Sequence, residues 1–192
     1  MENEFDYYIA ECLSTLLAWF SDDEVIDKIK KNKEKEVELD IINMSLNYNR
    51  KSITLDFFEL GVVSEKIFNV LFPIKINGIQ LIPVTIFNLD NNKTYNDKFY
   101  HLHVYNKLEC VDNNSTYYYD YDHGLLNIEK LLLDEEKLSP IPLDERLIFN
   151  LYNDNSSFIK QLFHKSIVDR IMTVEPRGIR FVNIKDYKYK GY

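Results

Sequence analysis

Residues 64–84 and 164–184 align without a gap at an offset of 100. Ile67 matches Ile167, Gly78 matches Gly178 and Ile79 matches Ile179. Other positions keep apolar character, among them Phe68/Val168, Leu71/Ile171, Leu81/Phe181, Ile82/Val182 and Val84/Ile184. Each stretch reads as helix, glycine turn, strand. With three identities in 21 positions, this is a recurring supersecondary unit and not a proven duplication. The expected fold is α+β: mostly antiparallel sheet with an N-terminal helical pair, short helices and two helix–turn–strand units. Residues 1–35 are expected as a helical segment packed on a main domain of residues 36–192.

Hydrophobic spacing assigns the remaining elements. Phe5, Tyr8, Ile9, Cys12, Leu13, Leu16, Leu17 and Phe20 recur at three- and four-residue steps, which predicts a helix over 4–20. Trp19 sits at its polar edge and reads as a core residue. Ser21 and Glu24 form a capping-box pattern for a second helix with Val25, Ile26 and Ile29 inward, fraying near Asn32–Lys35. Val37, Leu39 and Ile41 alternate with acids as in a half-buried strand. Parity then shifts to Met44, Leu46 and Tyr48, which predicts a bulge or break near Ile42–Asn43. NYNRK at 47–51 is a turn candidate, and Ile53, Leu55 and Phe57 resume alternation. Ser64 is a candidate N-cap, Pro73 a helix stop, and Pro83 points to a sheet edge or bulge in the strand over 79–87. Asp90–Asp97 reads as a polar loop, and further strands are expected at 99–105, 108–111, 147–151 and 179–184. An amphipathic helix is expected over 158–172, and Lys185–Tyr192 as a frayed basic tail.

Composition excludes several classes. A chain of 192 residues that is 45% hydrophobic and 28% charged is neither disordered nor fibrous. Its net charge of −8 argues against a nucleic-acid backbone as main partner, because phosphate binding needs a basic face. It is compatible with a basic protein partner, and equally with nothing more than solubility. No apolar run approaches the length of a membrane span, and the acidic start MENEFDYYIAEC does not read as a secretory signal, so the cytoplasm is the expected compartment. Cys12 and Cys110 make neither a disulfide framework nor a zinc site and read as small core residues. No cofactor is expected.

Charge is unevenly distributed. Residues 1–24 carry seven acids and no Lys or Arg, and residues 101–147 carry ten acids against four bases. Residues 148–192 reverse this, with eight bases against four acids. His101 and His103 lie two apart on one strand face, but no further ligand has metal-site spacing, so they read as solvent-facing. Asp120, Asp122 and His123 form a D-x-D-H cluster without the remaining positions of a calcium loop. No nucleophile elbow, P-loop or dinucleotide fingerprint occurs. The stretch NNSTYYYDYDHG at 113–124 is the better candidate site. Tyrosine combines large apolar area, a polar tip and few rotatable bonds, which suits an interface anchor.

Three segments resemble a known family. They are VVSEK (Val62–Lys66) before a short helix and apolar strand; YHLHVYNKLECVDNNS (Tyr100–Ser115) leading to LLLDEEKL (Leu131–Leu138) and LIFNLYN (Leu147–Asn153); and the terminal helix closing on GIRFVNI (Gly178–Ile184). Over about residues 55–186 the chain resembles an immunity-protein family of bacterial polymorphic toxin systems, long catalogued as a domain of unknown function and typified by a myxobacterial member. It departs at His164, opposite Ser64, where the family's second helix often begins with a small capping residue. The resemblance implies a small α+β protein that binds a co-encoded toxin and occludes it without catalysis. The family motifs carry no functional residues across. The residues' own chemistry nominates Tyr117, Tyr119, Asp120, Tyr121 and Asp122, with the Asp22, Asp23 and Glu24 corner, as the partner-binding surface. The competing classes are a general protein-interaction or scaffold domain, and a metal-dependent hydrolase using Asp120, Asp122, His123 and His101 or His103.

Overall fold

The computed structural model describes residues 4–13, 18–32, 35–46, 53, 55–58, 61–120, 122, 125–154, 156 and 158–189. Its strands in chain order are β1 (Tyr7–Cys12), β2 (Ala18–Phe20), β3 (Ile42–Leu46), β4 (Phe57–Phe58), β5 (Val62–Ser64), β6 (Ile79–Asn88), β7 (Lys93–Thr94) and β8 (Phe99–Val104). They continue with β9 (Lys107–Leu108), β10 (Thr116–Asp120), β11 (Leu125–Lys130), β12 (Ile148–Tyr152), β13 (Phe158–His164) and β14 (Ile179–Asn183). The helices are α1 (Asp23–Lys31), α2 (Glu65–Leu71), α3 (Glu135–Leu138) and α4 (Lys165–Met172). The protein is thus mixed α and β and mostly sheet. One sheet runs β14-β1-β13-β12-β9, another β2-β3-β6-β8-β5-β4 with β7 on β6, and β10-β11 stand as a separate hairpin. Among the described pairs only β3–β6 and β9–β12 are parallel.

Both copies of the repeated unit form, and the correspondence extends beyond the sequence alignment. β5, α2 and β6 make one strand–helix–strand unit, with β8 inserted antiparallel between the two strands. β13, α4 and β14 make the other, with β1 inserted in the same way. These are split β-α-β units. Tyr100 of β8 lies opposite Val63 and Pro83, and Tyr8 of β1 lies opposite Phe163 and Asn183, so the offset of 100 holds in the ladder register too. Gly78 (φ 81°) and Gly178 (φ 87°) supply the left-handed turn in each unit. The helices pack on each other above a shared core of Ile67, Leu71, Ile167, Ile171, Phe163 and Leu102. Each such buried side chain contributes about 1.5–3 kcal/mol. Asp56 ties the units together: it is 5% exposed, takes hydrogen bonds from Ser64 Oγ (2.8 Å) and Arg177 N (2.9 Å), and its own N–H donates to Arg177 O.

Several local expectations are corrected. The described part of 4–20 is two strands, not a helix. β1 has Tyr7 and Ile9 in one core cluster and Tyr8, Ala10 and Cys12 against another, so both faces are covered. A strand buried on both faces reads as a continuous apolar run, which spacing cannot separate from a helix. Leu16 and Leu17 lie outside the described residues. The same error falls at 158–164, where β13 occupies the first half of the expected helix. Trp19 is 39% exposed on the edge strand β2. The second helix is present as α1, but its N-cap is Asp22, whose carboxylate accepts from Glu24 N at 2.8 Å, while Ser21 Oγ bonds Ser45 Oγ.

Residues 37–41 form no ladder. The Gln80 side chain instead accepts from Val37 N (2.9 Å) and donates to Val37 O (3.0 Å), standing in for a strand partner. The parity shift marks where β3 begins, with Ile42, Met44 and Leu46 fully buried. Pro83 lies in an interior strand, yet one residue before the β3 ladder starts at Val84, so β6 is locally flanked by β8 alone. Ser64 caps α2 without a side-chain bond to the helix, its hydroxyl being spent on Asp56. His164 does cap α4: Nδ1 accepts from Ser166 N at 3.2 Å. The turn candidate at 47–51 lies outside the described residues. In the tail, Tyr187 is buried and Tyr189 bridges to Ile128, so this part is docked.

Cys110 is 1% exposed, and burial first, then the nearby Asp134 charge, push its thiol up to about 12. Tyr187 is pushed up to about 12, mainly by burial. Both groups are neutral below their ordinary values and anionic above the raised ones. The stability they contribute is therefore fully present below about pH 9 for Cys110 and about pH 10 for Tyr187, and each is lost as pH rises from there toward 12, at about 1.4 kcal/mol per pH unit. Urea midpoints at stepped pH should stay level to about pH 9 and then fall, and Cys110→Ala should blunt the first part of that fall. An equally steep fall in Cys110→Ala between pH 9 and 11 would contradict this account of Cys110.

Candidate partner-binding surface

The tyrosine stretch forms β10, paired in register with β11 from Tyr117↔Ile128 to Asp120↔Leu125. The hairpin is anchored from beneath. Ile128 is fully buried, and Tyr117 and Leu126 pack on the same cluster. Its outer strand carries Tyr118 (54% exposed) and Tyr119 (48% exposed). Asp120 is half-buried and its Oδ1 accepts from Asp122 N at 3.1 Å, which shapes the turn. Asp122 is exposed. Tyr121, His123 and Gly124 lie outside the described residues. Tyr118, which lies within the candidate stretch but is not among the residues nominated individually, is the most exposed tyrosine here. Alternation puts Tyr118 and Tyr119 on opposite faces, yet both are exposed, because among the described residues β10 pairs with β11 alone.

The second acidic element has structural duties. Asp22 caps α1, and Asp23 and Glu24 sit in its first turn, where the positive end of the helix dipole favours carboxylates. All three remain exposed.

His101 and His103 are not solvent-facing. They are 7% and 5% exposed, with ring centroids 6.2 Å apart, on the β8 face opposite Leu102. Phe20 meets His101 edge-on, and His103 Nε2 lies 3.2 Å from Asn32 O and 3.1 Å from Lys35 O, at the end of α1. Carbonyl oxygens only accept, so His103 carries its proton on Nε2 there. Asp120 and Asp122 belong to the separate hairpin. Among the described residues no group of three or more His, Cys, Asp or Glu side chains is placed to hold a metal ion. No helix among them is long and apolar enough to cross a membrane.

Next to the hairpin is an open groove of about 870 Å³. Lys160 projects into it, with its ammonium 4.4 Å from the Tyr189 ring centroid and 5.7 Å from that of Tyr187. Tyr189 also exchanges backbone hydrogen bonds with Ile128 of β11, so hairpin and groove are continuous. Sequence reading missed this site, whose residues lie far apart along the chain.

These elements define a mostly-sheet α+β protein of two split β-α-β units carrying a tyrosine- and aspartate-bearing hairpin. The chain belongs to the immunity protein family (Imm11), whose family model matches residues 21–186, most of its length. The resemblance read from the sequence is thereby borne out. The matched stretch takes in α1 and begins after β1 and β2. A search of curated proteins finds no match.

Proposed function

We propose that this chain binds a protein toxin encoded beside it, in the cytoplasm of a bacterium carrying a polymorphic toxin system, and neutralises the toxin by occlusion without turnover or cofactor. Family membership carries the reading. The contact surface is the β10–β11 hairpin, where Tyr118 and Tyr119 offer aromatic anchors beside Asp120 and Asp122. Tyr117 and Tyr121 belong to the same stretch, and Asp22, Asp23 and Glu24 extend the acidic field. A net charge of −8 favours a basic toxin, by drawing the partners together before contact.

The test is co-expression. The large open reading frame next to this gene should kill a sensitive host alone, and this protein should restore growth. A harmless neighbour, or killing despite folded protein, would end the reading. Within a confirmed pair, Tyr118→Ala and Tyr119→Ala should each weaken binding about 10–100-fold, by truncating anchors. Asp120→Asn should chiefly slow association at low salt and flatten its salt dependence. Titration calorimetry and stopped-flow mixing separate the two effects.

A further inference from the structure

Four charged side chains are found among the described residues that line the groove: Glu11, Lys30, Lys160 and Arg180. Three bases to one acid is the reverse of a chain with net charge −8. Glu11 is committed to Arg180, whose Nε donates to its Oε2 at 2.9 Å. Lys160 makes no ion pair with a carboxylate among the described residues. Its ammonium rests on the two tyrosine rings, and burial lowers its pKa, with Glu11 acting weakly in the other direction. A desolvated ammonium held on aromatic faces gains cation–π attraction, but among the described residues its N–H donors meet no carboxylate. The outer wall carries Phe158, 51% exposed, next to Tyr152.

We propose that this groove seats an acidic segment of the protein partner, with a Glu or Asp carboxylate on Lys160 Nζ and apolar neighbours against Phe158 and Tyr152. The inference rests on the reading of the chain as a protein-binding immunity protein. It adds a second contact of opposite charge. Through Tyr189 the acidic hairpin and the basic groove form one surface, and two patches of opposite sign set a partner's orientation, which one patch alone does not. The open groove of about 870 Å³ and its aromatic wall of Phe158 and Tyr152 fit a peptide segment better than a free small anion.

The test uses the full chain and a fluorescein-labelled peptide of alternating Glu and Ala, followed by anisotropy at low salt. The parent should bind. Lys160→Met, which keeps the packed stem, should bind about tenfold more weakly, Lys160→Glu should not bind detectably, and the exposed-site control Lys93→Met should match the parent. Undiminished binding by Lys160→Met would overturn the proposal, as would displacement of the peptide by free glutamate at the peptide's own concentration. Should Lys160→Met fold poorly, ring-proton shifts of Tyr187 and Tyr189 on titrating the parent with peptide decide the matter, and shifts confined elsewhere overturn it. A toxin arm separates the two readings. A neighbour-encoded toxin that binds Lys160→Glu as tightly as the parent sinks the groove and leaves immunity standing. Peptide binding through Lys160 with no toxin bound by the parent sinks immunity and leaves the groove.

Discussion

Gly78→Ala should melt about 8–16 °C below the parent, the shift that about 4 kcal/mol produces in a domain of this size. The residue holds φ at 81°, and a Cβ there would sit 2.2 Å from Asn106 Cβ and 3.1 Å from Asn106 Cα. Asn106 cannot retreat. Its N–H donates to Gly78 O, and its carbonyl accepts from Asn150 N. The left-handed backbone costs a side-chain-bearing residue about 1–3 kcal/mol, and the forced shift adds a similar amount. Gly178→Ala should cost slightly less, about 3 kcal/mol, because its Cβ would meet Phe57 O at 2.7 Å and the softer Leu55 Cδ2 at 3.0 Å. Gly61→Ala should cost least of the three, since Leu102 O lies at 3.3 Å. The ranking is checked by thermal and urea melts of the three variants. If Gly61→Ala proves as damaging as Gly78→Ala, close approach is not what demands glycine in the repeated units.

Arg146→Met should lose about 3 kcal/mol. The side chain is 2% exposed, and its fork reaches four acceptors around the start of β1. Nε donates to Ile141 O at 2.9 Å, and one terminal nitrogen donates to Glu4 O at 3.1 Å and to Tyr7 Oη at 3.4 Å. The other terminal nitrogen pairs with the Glu4 carboxylate, and the guanidinium lies over the Phe5 ring. Methionine keeps the stem but takes the donors from Ile141 O and Tyr7 Oη and leaves Glu4 O with only the His164 Nε2 contact at 3.2 Å, which is the larger part of the cost. Arg146→Lys retains charge but cannot serve all the acceptors, and should recover about half. Glu4→Gln should cost under about 1 kcal/mol, because that carboxylate is largely in water. Urea melts measure all three, and faster hydrogen exchange at Tyr7–Ile9 in Arg146→Met would place the damage at β1. A Glu4→Gln loss equal to that of Arg146→Met would show the ion pair, not the backbone acceptors, to be what matters.

The sequence by itself determined the elements whose patterns have one reading. Ser64 to Pro73 bounds α2, and Gly78 and Gly178 mark turns that need positive φ. The offset of 100 announces two equivalent units, and three segments point to the immunity family. Tertiary structure decided whatever depends on both sides of an element. Residues 7–12 and 158–164 are strands because each is covered on two faces, and a covered strand loses the alternation that identifies it. β1 completes the second unit as β8 completes the first, a role no local pattern in residues 7–12 reveals. His101 is covered by Phe20 of β2 and His103 by Asn32 and Lys35, which follow α1, and Trp19 is exposed because its strand falls at a sheet edge. The Tyr118–Tyr119 surface was half legible, since composition marks the tyrosines but only the pairing of β10 with β11 outside the two larger sheets exposes them. The groove was not legible at all. Glu11, Lys160, Arg180 and Tyr189 meet only when β1, β13, β14 and the tail are laid side by side, and charge spacing along a chain carries no information about which distant residues will share a wall.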